Sequence, residues 1–154
     1  LEGRIAGGRC SDTSEARYHR SAEELLESEP PAQWMDRVRR AAYSNRFVIV
    51  WRHPLIAVYL GENEDYVIVE GYYCSCPGFT IRTTRKGIMG CTHVYAFRIA
   101  LREGRYRDVS GSLSPGEVVS IVWEALTGPY AYSVRRLLAL ADEVSYDHDD
   151  GEDG

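Results

Sequence analysis

The sequence predicts an α+β fold: a small antiparallel β-meander with helices on its N- and C-terminal sides. Three observations predict it. From Phe47 onward, β-branched and aromatic residues come in three runs, FVIVW, LIAVYL and YVIVEGYY, separated by His53-Pro54 and by the polar turn GENED. Before them, Trp34, Val38, Ala41 and Ala42 recur at the helical period. After them, Ser114-Pro115-Gly116-Glu117 places an N-cap Ser, a Pro at the first helical position and a Glu at the third, ahead of the apolar run VVSIVWEAL. With 154 residues, 44% hydrophobic and 27% charged, the chain has the size and composition of one folded domain, which disfavours disordered and fibrous classes.

The elements follow in order. Residues 1–20 show no periodicity and are expected to be a flexible start. A single domain is expected over 21–145. Ser21 to Glu24 reads as a capping box leading into Leu25 and Leu26, and Pro30-Pro31 interrupts that helix. Residues 31–44 then form an amphipathic helix with Trp34 and Val38 in the core and Arg37, Arg39 and Arg40 on other faces. In the meander, Gly61–Asp65 suits a hairpin, and Pro54, which has no N–H to give a ladder, marks a bulge or an edge. The strands end at Cys74, and Pro77-Gly78 turns the chain away. A helix over Thr92–Gly104 carries Val94, Phe97, Ala100 and Leu101 on one stripe and stops at Gly104. A last helix uses Val134, Leu137, Leu138, Ala141 and Val144, and the acidic residues 146–154 are expected to be a disordered tail.

Several functions are disfavoured. No apolar run approaches the roughly 20 residues that cross a bilayer, and no apolar signal segment opens the sequence, so a soluble, cytoplasmic protein without membrane contact is expected. There is no G-x-x-x-x-G-K-[ST] loop, no H-E-x-x-H and no evident triad, so an enzyme is not expected.

The chemistry lies in C-x-C-x14-C-x-H: Cys74, Cys76, Cys91 and His93. Three thiolates and one imidazole complete a tetrahedral Zn²⁺ shell and leave no position for a reactive water, which predicts one structural zinc. Residues i and i+2 of a strand share a face, so Cys74 and Cys76 can aim at one ion. In a helix, i and i+2 lie about 200° apart. Cys91 is therefore expected just before the helix, with Thr92 as N-cap and His93 in the first turn. Disulfides are disfavoured because C-x-C neighbours bridge poorly and no secretory signal is present. A thiol nucleophile paired with His93 would leave Cys74 and Cys76 idle. Cys10 reads as a free thiol.

The run CSCPGF, followed after a variable loop by GCTHVYAF, resembles the SWIM zinc finger, a strand-strand-helix module with the pattern C-x-C-x(n)-C-x-H. The resemblance spans about residues 55–104. It implies zinc ligation by Cys74, Cys76, Cys91 and His93, an aromatic role for Phe79 and an apolar helix start at Val94, Tyr95, Ala96 and Phe97. Thr92 stands where the family often has Lys, a departure that weakens the case for a phosphate contact there. SWIM modules occur in transposases, helicases, ubiquitin-ligase-related proteins and recombination factors. A small stand-alone chain is similar to a SWIM group, with archaeal members, that acts in homologous recombination beside a RecA-family ATPase paralogue. The resemblance thus implies a non-enzymatic zinc adaptor in recombination and DNA repair that binds such a paralogue, DNA or both. Transposition or transcription regulation is the alternative setting.

The net charge of −5 argues at face value against nucleic acid, but it is unevenly spread. Between residues 74 and 107, seven basic groups face Glu103 alone, whereas residues 142–154 hold seven acidic groups and no basic one. A loop with Arg82, Arg85 and Lys86 beside a helix face with Arg98, Arg102 and Arg105 is the expected DNA contact; a solvated Arg-rich surface is the competing reading. Tyr72, Tyr73 and Phe79 could stack on single-stranded bases, but packing of Phe79 and one of the Tyr pair into the core is the preferred expectation. The 115–127 helix is apolar on more than one stripe and is expected to give one face to the core and another to a partner, with a homodimer and the ATPase paralogue both open.

Overall fold

The computed structural model describes residues 29–86 and 90–146. The segments 1–28 and 147–154, with the expected first helix, Cys10 and most of the acidic tail, lie outside the described residues.

Each strand has apolar residues at consecutive positions because both faces of the sheet are covered. Strand β1 (Phe47–Trp51) is buried along almost its whole length. Phe47 and Ile49 point to one side and Val48 and Val50 to the other, and β2 (Ile56–Tyr59) and β3 (Tyr66–Val69) divide Ala57 from Val58 and Ile68 from Val67 in the same way. Helices α1 (Met35–Ala42), α2 (Pro77–Lys86) and α3 (Thr92–Glu103) close the Phe47 side. Helices α4 (Pro115–Thr127) and α5 (Tyr132–Tyr146) close the Val48 side. The result is three layers with the sheet in the middle.

The expected α+β class stands, but the sheet is larger than a three-stranded meander. Strands β4 (Tyr73–Cys74) and β5 (Arg107–Asp108) extend it to five, in the order β4-β3-β2-β1-β5. The first four pair antiparallel, whereas β5 runs parallel to β1, so the sheet is mixed. The sequence reads YVIVEGYY as one strand ending at Cys74, whereas the turn at Gly71 splits off β4; the two-residue β5 has no periodicity for a sequence to show. The Gly61–Asp65 turn joins β2 and β3 as expected. Pro54 follows a cis peptide bond in the β1–β2 connection, and the register shifts between Ile49 and Trp51.

Trp34 and Val38 are buried as the pattern required, although the helix over 31–44 resolves into a 3₁₀ turn, Ala32–Trp34, followed by α1. Gly104 ends α3 in a left-handed conformation, φ 67°. Ser114 caps α4 with its side chain accepting from the Glu117 N–H at 3.3 Å while Glu117 accepts from the Ser114 N–H at 2.6 Å. In α5, Val134 and Leu138 are buried, while Ala141 is exposed. No helix among the described residues is long and apolar enough to cross a membrane.

Asp65, which the sequence did not single out, ties the second layer to the sheet. Fully buried, it accepts from the N–H groups of Gly61 (3.1 Å) and Ala131 (2.9 Å) and pairs with Arg135, whose Nε lies 2.8 Å away. Its own N–H donates to the Pro129 carbonyl at 2.7 Å. A buried carboxylate is tolerable only when its oxygens are satisfied in this way.

Candidate metal centre

The strand-to-helix passage at CSCPGF sets two of the four candidate ligands. Gly71, at φ 75°, turns β3 into β4, and Cys74 pairs with Ile68 at the end of β4. Ser75 stays registered with β3, donating its N–H to the Val67 carbonyl and accepting from the Val67 N–H, both at 2.9 Å. Cys76 then reaches the start of α2, where its Sγ accepts from the Phe79 N–H at 3.4 Å. The expected turn at Pro77-Gly78 is therefore the first turn of a helix. Pro is pre-shaped for that position, so Pro-Gly read alone could not distinguish the two.

The other two candidates sit where a loop becomes α3. Gly90 has φ 152°, and a Cβ there would lie 3.1 Å from the Tyr95 ring, so both backbone and space call for glycine. Cys91 follows in extended conformation and is itself the N-cap, one residue before the expected Thr92. His93 lies in the first turn, as anticipated from the i, i+2 geometry.

The four side chains come together: the thiols of Cys74, Cys76 and Cys91 and an imidazole nitrogen of His93 all lie within 4.8 Å of one another. The three cysteines are free thiols and buried. Bonds of about 2.3 Å to sulfur and 2.0 Å to nitrogen in a tetrahedral centre would set ligand atoms roughly 3.5–3.8 Å apart, so a small inward movement suffices for a metal ion. His93 Nδ1 is buried without a hydrogen-bond partner among the described residues, an arrangement that a ligand or a proton acceptor would relieve. Hydrogen bonds to Cys76 and Cys91, with burial, push the Cys74 thiol up, while the bonds Cys76 receives from Cys74 and Cys91 push it down. Three thiols and one imidazole are donors suited to a soft or borderline cation.

Two tyrosines missed in the sequence orient the histidine. The rings of Tyr59 and Tyr66 lie 4.8 and 4.9 Å from the His93 ring. They are a cross-strand pair on β2 and β3, on the face that carries Ala57 and Ile68, and a hairpin register around GENED would have revealed them.

The expected basic contacts are placed differently. Arg82, Arg85 and Lys86 stand on α2 rather than on a loop, with the Lys86 side chain outside what is described. Arg82 lies 3.9 Å over the Trp34 ring, and Arg105 4.7 Å over Tyr43. Arg98 stands 5.8 Å from the Tyr95 ring and is lowered in pKa by burial; Arg85 and Arg102 are exposed. Phe79 is buried as expected. Tyr72 and Tyr73 are both exposed, which corrects the expectation that one of them enters the core: the two-residue strand β4 lies at the sheet edge and leaves Tyr73 against the Phe79 ring at 5.8 Å.

By layer, helices α1–α3 carry Arg37, Arg39, Arg40, Arg82, Arg85, Lys86, Arg98 and Arg102 against Asp36 and Glu103, whereas α4 and α5 carry Arg135 and Arg136 against Glu117, Glu124, Asp142 and Glu143. The cationic side is the one that holds the Cys/His cluster. No family model matches the chain, and no curated protein or solved structure is similar to it.

Proposed function

We propose that this chain is a SWIM-type zinc protein: a non-enzymatic adaptor whose single structural Zn²⁺ is held by Cys74, Cys76, Cys91 and His93, and which binds DNA through its α1–α3 side. The convergence of three buried thiols and one imidazole carries the metal assignment. Zn²⁺ suits that donor set, and four protein ligands complete its shell, so the ion braces β4, α2 and α3 and performs no reaction. The excess of guanidinium groups on those helices supports the DNA reading. The resemblance of CSCPGF and GCTHVYAF supplies the setting of homologous recombination beside a RecA-family ATPase paralogue.

The protein contact is best assigned to α4. Val118, Ile121 and Ala125 face the core, while Val119 and Trp123 remain 67% exposed and Leu126 49% exposed. That apolar stripe suits a protein surface.

The decisive test combines metal analysis with DNA titration. Purified protein should contain one Zn²⁺ per chain, and Co²⁺ substituted for it should give the absorption of a tetrahedral thiolate site. Labelled DNA should bind with an affinity that falls steeply in salt. A folded, metal-free wild type would overturn the zinc assignment, and absence of salt-dependent binding would overturn the DNA reading. A RecA-family paralogue should form a stoichiometric complex that Trp123→Ser disrupts; a chain that dimerises through Trp123 and ignores the paralogue would replace that partner with a second copy.

A further inference from the structure

We infer that DNA phosphate is seated not on the α2–α3 surface but in a groove between the end of α1 and the first turn of α3, built by Arg37, Arg40 and Arg46. This inference rests on the DNA reading above and specifies where contact is made. The groove encloses about 360 Å³, enough for a phosphodiester linkage, and its remaining wall includes Ser44, Thr92 and the rings of Tyr59 and His93. Arg37 and Arg40 are three residues apart on α1 and so share a face. Asn45, in left-handed conformation at φ 57°, reverses the chain after α1 and brings Arg46 to the same space.

Three guanidiniums around one cavity repel each other unless an anion joins them. Glu62, the only carboxylate in the groove wall among the described residues, is 3.3 Å from Arg46, which also donates to the Leu60 carbonyl at 3.5 Å. The side chains of Arg37 and Arg40 are exposed and have no hydrogen-bond or ion-pair partner among the described residues. By contrast, Arg82 and Arg105 rest on aromatic rings and contribute to packing. The groove therefore offers two uncommitted planar forks, the geometry that phosphate oxygens accept. Thr92, at the positive end of the twelve-residue helix α3, adds to the same field.

The test is fluorescence anisotropy with labelled single-stranded and duplex DNA of mixed sequence, using the full zinc-loaded chain. Arg37→Ala/Arg40→Ala should weaken binding about tenfold for all sequences and flatten the salt dependence by about 0.9 per lost phosphate contact on duplex. Unchanged metal content and melting temperature would show that the variant folds, and Arg37→Gln/Arg40→Gln provides a second, helix-compatible form. Arg136→Ala, on the opposite layer, should leave binding unchanged. Wild-type affinity in both groove variants, together with loss in Arg82→Ala/Arg85→Ala, would overturn the groove and leave the DNA reading standing. Failure of the wild type to bind DNA would overturn both.

Discussion

Helices α1–α3 meet the sheet through aromatic rings and a cluster of metal-type ligands, whereas α4 and α5 meet it through aliphatic side chains and one buried ion pair. Cys74, Cys76 and Cys91 are buried in the first core, whereas the second is built of Val, Ile, Leu and Ala alone. The arginine excess lies on the first side and the exposed apolar stripe on the second. The difference is one of materials: the first layer packs aromatic rings and buried thiols against the sheet and carries the arginine excess outside, whereas the second packs aliphatic side chains and is pinned by Asp65. The second layer leaves apolar surface exposed at Val119, Trp123 and Leu126.

The sharpest way to break this comparison is to remove the proposed Zn²⁺. A structural site contributes on the order of 10 kcal/mol, comparable to the whole stability of a domain of this size. Cys91→Ser, or chelation of the wild type, should therefore unfold the chain, with loss of near-ultraviolet circular dichroism and of stoichiometric zinc. Native spectra in a metal-free protein would show that packing alone closes the first layer.

Next in size is the brace of the second layer. Asp65→Ala removes the acceptor for Gly61, Ala131 and Arg135 and should lower stability by about 3–5 kcal/mol, read from the urea midpoint at unchanged slope. Zinc stoichiometry should stay at one while the protein is folded. Loss of zinc from the folded variant would mean that the two layers are not separately braced. Smaller again is Gly90→Ala, which forces a Cβ against the Tyr95 ring at φ 152° and should cost about 1–3 kcal/mol. Its signature would be weaker zinc retention against a competing chelator, since Gly90 delivers Cys91; unchanged retention would detach that turn from the site.

The ligand set and the helices with clear periods or caps were legible in the sequence: Cys74, Cys76, Cys91 and His93 converge, α3 ends at Gly104, and the Ser114 capping box opens α4. What escaped has a common physical origin in contacts distant along the chain. Strand β5 forms only because Val48 and Ile49 offer a ladder to Arg107 and Asp108 nearly sixty residues later. Asp65 looked like a polar turn residue until Arg135 was brought beside it. Likewise, Arg37 and Arg40 appeared as the solvated face of an amphipathic helix, because nothing local showed that Arg46 and Thr92 would enclose a groove beside them. Local pattern specifies elements and metal donors; charge acquires meaning only when the layers are assembled.

The smallest expected effect tests the stripe left on α4. Trp123 lies two residues from Ile121, which is 1% exposed, yet Trp123 is 67% exposed; its backbone carbonyl accepts from the Thr127 hydroxyl at 2.7 Å. Trp123→Ser keeps that carbonyl and removes apolar surface that the fold does not bury, so the stability of the isolated chain should change by no more than about 0.5 kcal/mol. Light scattering and complex formation should respond instead, because the indole supplies the largest apolar area on the stripe. A drop of several degrees in melting temperature at low protein concentration would mean that another part of this same chain covers Trp123. The second layer would then be a closed core on both sides of α4 rather than a docking face.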